Sequence, residues 1–371
     1  MTYPSLNDAL IDEAERLGTT LVPIAEAGTP GKVNRQLVKA LGSAGFFEKV
    51  FGADEVTAVA LCHIRQGLAR VCTEAETSFA VQGLGGFSIQ RHGSRRVVSE
   101  WGPSLLSGDA VAAFALTEPA AGSDAAALAL RAERDGDGYR LTGEKAYVSN
   151  APEADVATVF ARTTPDAGAK GVTAFAVSLD REGISGESIG MISPHALGRW
   201  SFDGVYVAAD EVLGEVDEGF GVAMSTLDLF RPSVGAFALG MAEAALRIAV
   251  DHARSREAFG TPISQFQGVS HQLADAKVAI EASRHLVYEA ARAYDAEESG
   301  ITGKSAMAKL FATETAQSVV DVAIQVLGAR GLEADSTLAH LYKEVRAPRV
   351  YEGTSEIQRN IISRELFRDR I

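Results

Sequence analysis

From about Leu6 to Leu106 the apolar positions recur every three or four residues, in "LIDEAERLGTTLVPI", "LVKALGSAGFF" and "VTAVALCHIRQGLARV". This is the spacing of a single helix face, and it predicts a helical first domain. Between Val111 and Gly214 the spacing changes to two in "GYRLTGEKAYVSN", "VATVFART", "VTAFAVSL" and "FDGVYVAA", with Gly, Pro and Asp between the runs. Such runs predict short strands in a compact antiparallel domain. After "EGFGVAM" the helical spacing returns in long segments, Leu227–Arg254, Gln265–Tyr294 and Thr302–Gly328, with a last helix from about Ser355. The order α, β, α predicts a mostly α chain with a central β domain: residues 1–110 helical, 111–215 β, and 216–371 a helical bundle. The small residues Ala306, Ala308, Ala312 and Ala316 predict close helix packing, within the chain or between subunits.

Length and composition leave that picture intact. The chain of 371 residues is 46% hydrophobic and contains 11 prolines, which fits a globular protein of two or three packed domains. No run of 18 apolar residues occurs and the start is polar and acidic, so a soluble, cytoplasmic protein with no membrane partner is expected. The net charge of −14 repels polyanions, and no nucleic-acid partner is expected. "RHGSRR", Arg91–Arg96, is a short basic cluster that reads as a solvated loop. Cys62 and Cys72 have no metal-ligand spacing and read as structural thiols.

Five segments carry side chains suited to chemistry. "ALTEPAAGSD", Ala115–Asp124, follows an apolar run and offers hydroxyls and free backbone N–H groups to a heterocycle or a phosphate; a decorated turn is the plain reading. In "GEKAYVSNA" the residues Tyr147 and Ser149 lie two apart, hence on one face of a strand, suited to a flat cofactor or to an ordinary barrel wall. "RSREAFGTPISQFQ" sets Arg256 and Phe259 at helical spacing before Gly260 and Pro262 break the pattern; the arginine suits a phosphate, or caps a helix corner. "QVLGARGL" is a glycine-rich helix end and not a P-loop, and no G-x-G-x-x-G follows a strand, so common nicotinamide and ATP sites are unsupported. Finally "RVYEGTSEIQR" places Glu352 just ahead of a helix entry that Thr354 or Ser355 can cap. The helix N-terminus favours an ionised Glu352, whereas a base for a carbon-bound proton must be held dry. On local spacing alone Glu352 reads as a surface carboxylate.

Together, in this order and at these intervals, the segments resemble the acyl-CoA dehydrogenase family over residues 6–366. The resemblance implies that family's fold: a helical N-terminal domain, an antiparallel β-barrel-like domain and a C-terminal four-helix bundle, assembled as a homotetramer or homodimer. It implies a noncovalent FAD between the β domain and the bundle, with its adenine half reaching a neighbouring subunit. The matching flavin positions are Phe114, Leu116, Thr117, Ser123, Tyr147 and Ser149, then Arg256, Phe259, Gln267, Gln325 and Gly328, with Thr354 and Glu356 near the cofactor. Ser123, Asp228, Arg231 and Gly353 fall on substrate-binding positions, and Glu352 on the catalytic base. The implied reaction is α,β-dehydrogenation of an acyl thioester to the trans-2-enoyl thioester, with electrons passed on to an electron-transfer flavoprotein or another acceptor.

The alternative base position on an earlier helix holds Phe230, so Glu352 has no competitor in the sequence. Departures from the family pattern are Ala329 in place of a glycine, "FFEKVFGADEV" in place of the usual Pro-Glu-x-x-Gly-Gly element, and a shorter segment after Gly198-Arg199. In the family that hairpin lies near the nucleotide of coenzyme A, so an acyl carrier protein, docking on Arg91, Arg95 and Arg96, stands beside coenzyme A as the acyl carrier. An oxidase or monooxygenase of the same fold and a non-catalytic flavoprotein scaffold are the alternative functions. Acyl chain length is not encoded in any motif.

Overall fold

A computed structural model describes residues 8–52 and 56–368; the first seven residues and Ala53–Glu55 of the departing loop lie outside them. The described chain runs α1 (Asp8–Glu26), α2 (Arg35–Ser43), α3 (Glu48–Phe51), α4 (Ala58–Ala69), α5 (Thr73–His92) and α6 (Arg95–Ser107). Strands follow: β1 (Ala112–Ala115), β2 (Arg131–Asp135), β3 (Gly138–Ser149), β4 (Val156–Arg162), β5 (Val172–Ser178), β6 (Ile184–Ser188), β7 (Leu197–Val207) and β8 (Val212–Leu213). Then come α7 (Gly219–Ser255), a small hairpin of β9 (Glu257–Ala258) and β10 (Thr261–Pro262), α8 (Gln267–Asp295), α9 (Ile301–Leu327), α10 (Thr337–Glu344) and α11 (Ser355–Arg368). The fold is thus mostly helical with a central β domain, the order that the resemblance implies.

Contacts group these elements into two compact units. The first holds Thr57–Glu76 and the chain from Asp228 on, together with the chain up to Thr20. Here α8 and α9 pack along each other, and α9 also meets α10 and α11. Ala306, Ala308, Ala312 and Ala316 are buried within the chain, so the small stripe of α9 serves packing inside one protomer. Gly235 of α7 explains why it must be small: a Cβ there would lie 2.7 Å from Val287 and 3.5 Å from Ala312. Helix α7 begins earlier than the spacing indicated, since Val222 and Ala223 extend its buried stripe. By length and composition α7 is apolar enough to cross a membrane, yet 72% of its apolar window is buried inside the protein.

The second unit holds Leu21–Val56 and Thr77–Leu227. Its sheet runs β6-β7-β3-β2-β4-β5-β8, with β1 beside β4. Neighbours are antiparallel except β1 with β4 and β2 with β4, which are parallel. The mixture follows from the long 116–130 connection between β1 and β2, which a hairpin could not replace. Phe160, Phe175 and Trp200 fill the sheet's interior. Buried Gln82 of α5 ties the helices to β1: its Nε2 donates to the carbonyls of Leu105 and Ala110, and its Oε1 accepts from the Ala112 N–H at 2.8 Å.

Besides the parallel pairings of β4 and the earlier start of α7, two further expectations change. Arg256 and Phe259 are not on a helix, because α7 stops at Ser255 and Phe259 and Gly260, at φ +53° and +79°, form the tight turn between β9 and β10. Successive positive φ values are what a two-residue hairpin requires, and Gly260 supplies one at no steric cost. The basic cluster is not a loop either: Arg91 lies in the last turn of α5, Arg95 and Arg96 begin α6, and Ser94 caps α6 by accepting from the Val97 N–H at 3.3 Å. Cys62 and Cys72 are free and buried.

Candidate active site

The chain leaves α10 through a short turn, Ala347–Arg349, and enters α11 at Ser355. Between them Glu352 and Gly353 lie at φ +50° and +89°, two left-handed residues in succession. Glycine adopts that region freely, whereas a glutamate there is strained and must be held by its surroundings. Three groups hold it. Lys309 of α9, 0% exposed, donates from Nζ to the Gly353 carbonyl at 2.6 Å. Gln358 of α11, equally buried, donates from Nε2 to the carbonyls of Gly353 at 2.9 Å and Glu352 at 3.2 Å. Thr354 caps α11, its Oγ1 accepting from the Ile357 N–H at 3.3 Å.

The turn is also fastened from its flanks. Glu314 of α9 accepts from Ser355 Oγ at 2.6 Å and pairs with Arg349 at 2.7 Å. Glu352 as a residue is half-buried, and its Oε2 is buried and has no hydrogen-bond partner. Burial raises this carboxyl above its ordinary pKa, and the charges of Arg65, Arg231 and Lys309 pull it back. Arg231 of α7 pairs with Asp228 at 2.6 Å. Burial raises the Asp228 carboxyl, with Arg231 opposing. Arg65 of α4 pairs with Glu76, donates from Nη1 to Ser233 Oγ at 2.8 Å and lies 5.7 Å over the Phe237 ring. A carboxylate with raised proton affinity, an unengaged oxygen and cations around it is equipped to accept a proton. Phe230, on the earlier helix, is fully buried.

The β unit gathers its own set. Lys145 of β3, fully buried, donates from Nζ to the Leu116 carbonyl at 3.1 Å and to Glu118 at 2.6 Å, while the Ala146 N–H donates to the Thr117 carbonyl at 3.0 Å. These bonds lay the 116–118 segment along β3, bringing Leu116 and Thr117 to the strand that carries Tyr147 and Ser149. Tyr147 is the extra residue of a bulge, where the pairing with β7 shifts between Ala146 and Val148. At φ +56° it stands 58% exposed while Val148 is buried and Ser149 half-buried. Phe114 packs on Phe160 with ring centres 4.9 Å apart, and Ser123 lies in the exposed part of the loop.

In the helical unit Arg256, Phe259 and Gln267 come together at the hairpin and the start of α8, with the Arg256 carbonyl accepting from the Ile263 N–H at 2.8 Å. Gln325 and Gly328 close α9, the Gly328 N–H donating to the Gln325 carbonyl at φ +62°. Glu356 is exposed in the first turn of α11, its pKa lowered by backbone N–H and Thr354 hydrogen bonds. Lys309, Arg65 and Lys145 were not singled out from the sequence. For Lys309 a signal exists: in "SAMAKLFATETA" it occupies the stripe of Ala312 and Ala316, a charge where the period demands an apolar residue.

Family models for the N-terminal, middle and C-terminal domains of acyl-CoA dehydrogenases match residues 7–109, 113–205 and 217–367. The chain belongs to the acyl-CoA dehydrogenase family. It is 35% identical over 352 residues to a probable acyl-CoA dehydrogenase of Mycobacterium tuberculosis, covering 93% of this chain and 90% of that protein. The solved butyryl-CoA dehydrogenase of Megasphaera elsdenii superposes with a TM-score of 0.91 at 30% identity, covering 99% of each chain. PigA, solved with FAD and proline, gives a TM-score of 0.91 at 25% identity over 99% of each chain. As a member of the family the chain is an FAD-dependent oxidoreductase acting on CH–CH bonds.

The residues present fit a flavin. Phe259 is 98% exposed and Tyr147 58%, rings of the kind a planar cofactor covers, and a Cβ at Gly122 or Gly328 would meet open space. Hydroxyls at Thr117, Ser123 and Ser149 and a guanidinium at Arg256 supply the donors that a ring carbonyl or a pyrophosphate needs.

Proposed function

We propose that this enzyme dehydrogenates the Cα–Cβ bond of an acyl-CoA, with Glu352 as the base that removes the α-proton. The observation that carries this reading is the buried, unpartnered Oε2 of a glutamate held in a strained left-handed turn. FAD, when bound, supplies the acceptor for the β-hydride, and the product is the trans-2-enoyl thioester. Glu352 receives the proton at Oε2, while its backbone N–H donates to the thioester carbonyl and stabilises the charge that grows there. Asp228 and Arg231 line the thioester arm. The flavin set of the β unit holds the cofactor, and Arg256, Phe259, Gln267, Gln325 and Gly328 serve the flavin of a neighbouring subunit in a homotetramer or homodimer. Exposed Phe259, Leu332 and Phe367 are apolar surface that such assembly would cover. An electron-transfer flavoprotein or another acceptor reoxidises the enzyme.

Coenzyme A is favoured over a carrier protein because Arg96, the centre of the basic cluster, is already engaged by Asp210, Glu100 and Glu211. Only Arg91 and Arg95 of that cluster remain for an acidic carrier. Turnover of one acyl chain on both carriers tests this, and strong preference for the carrier-protein thioester would reverse it. The decisive experiment on the base is Glu352→Gln: bound flavin and acyl-CoA affinity are retained, while anaerobic bleaching of the flavin slows by roughly 10²–10⁴-fold. Bleaching at the native rate would remove Glu352 from the mechanism.

A further inference from the structure

Lys309 hydrogen-bonds a carbonyl that Gln358 already serves, so the hydrogen bond alone does not call for a charge. Burying an ammonium is costly unless something nearby gains from it. The groups that face Lys309 are Glu352, Arg231 of α7, Glu314 of its own helix and Glu356 of α11. Glu314 is taken up by Ser355 and Arg349, and Glu356 is exposed on the first turn of α11. That leaves Glu352 as the carboxylate on which the charge of Lys309 acts.

We propose that Lys309 is a positioning residue for the base: tied to the Gly353 carbonyl, its ammonium locks the left-handed Glu352–Gly353 turn and places a fixed positive charge beside the carboxylate. The inference rests on the reading of Glu352 as the base. One residue thereby does two things that oppose each other in a dry site. It holds the carboxylate where a substrate carbon can reach it, and it adds to Arg65 and Arg231 in keeping that carboxylate ionised against burial. Burial pulls the Lys309 ammonium down to about 8, with Glu352 as the largest influence holding it up, so it remains charged at neutral pH.

The test is the pH at which the Glu352 carboxyl titrates, read by infrared difference spectroscopy of the flavin-loaded enzyme, with Glu352→Gln identifying the band. In Lys309→Gln, and in Lys309→Met should the first not fold, the midpoint moves up by about one pH unit, a tenfold smaller ionised fraction on the acid side. Lys309→Arg keeps the charge and stays near the native midpoint. The acid limb of the butyryl-CoA bleaching rate moves with the carboxyl, so raising the pH restores much of the rate lost in Lys309→Gln. An unchanged midpoint in the neutral variants, or an equal shift in Lys309→Arg, overturns the proposal, because a merely structural lysine would lower stability without moving the titration. Native bleaching in Glu352→Gln is a separate failure, that of the base itself, and leaves the titration result standing.

Discussion

Lys145 in the β unit and Lys309 in the helical unit are both fully buried, and in each burial lowers the ammonium to about 8. They differ in what answers the charge. Lys145 closes an ion pair with Glu118 at 2.6 Å, and Glu118 also accepts the N–H groups of Ala129 at 2.6 Å and Leu130 at 2.9 Å. Lys309 donates to a carbonyl and, among the described residues, closes no ion pair. The first charge is used up in shaping the 116–130 segment. The second is left to act on a neighbour, and the neighbour is the proposed base.

The largest effect that can break this contrast is Lys145→Met. It strands the Glu118 carboxylate in the interior, and a loss of about 3–5 kcal/mol in urea unfolding is expected. Lys309→Met breaks no ion pair among the described residues and leaves Gln358 on the same carbonyl, so about 1–3 kcal/mol is expected by the same measurement. Equal losses would erase the distinction.

A pH series sharpens it. The unfolded lysines hold their protons to about 10.5, the folded ones only to about 8. Within that window the unfolded chain binds more protons, so stability rises with pH, and the burial penalty is fully present below it. Denaturation midpoints from pH 7.5 to 10.5 should climb in the native enzyme and climb less in either methionine variant.

Smaller effects probe the turn. Gly353→Ala puts a Cβ at φ +89° and 2.6 Å from Gln358 Nε2, and costs about 1–2 kcal/mol from the backbone alone. If thermal melting shows no loss, the left-handed turn is not strained as described. Thr354→Ala removes the cap of α11 for about 1 kcal/mol and is expected to lower the bleaching rate less than Lys309→Gln does.

Much of this was legible in the chain. The start of α11 at Ser355 and its cap at Thr354 follow from a Thr-Ser pair ahead of a helical stripe, a local signal that local chemistry satisfies. The long helices α8 and α9 follow from their apolar period. The hairpin carrying Phe259 was not legible, since Arg256 and Phe259 keep helical spacing past Ser255, where α7 ends. The parallel pairings of β4 were not legible either, because partner choice in a sheet depends on how a long connection returns.

By itself the sequence determined the order of helices and strands, the family and the position of Glu352, because periodicity, turn residues and motif spacing are properties of neighbouring residues. Only the tertiary structure decided how Glu352 is held and charged. Lys309, Arg231 and Arg65 come from three different helices, and the field at a carboxylate depends on distances through space that no spacing along the chain encodes.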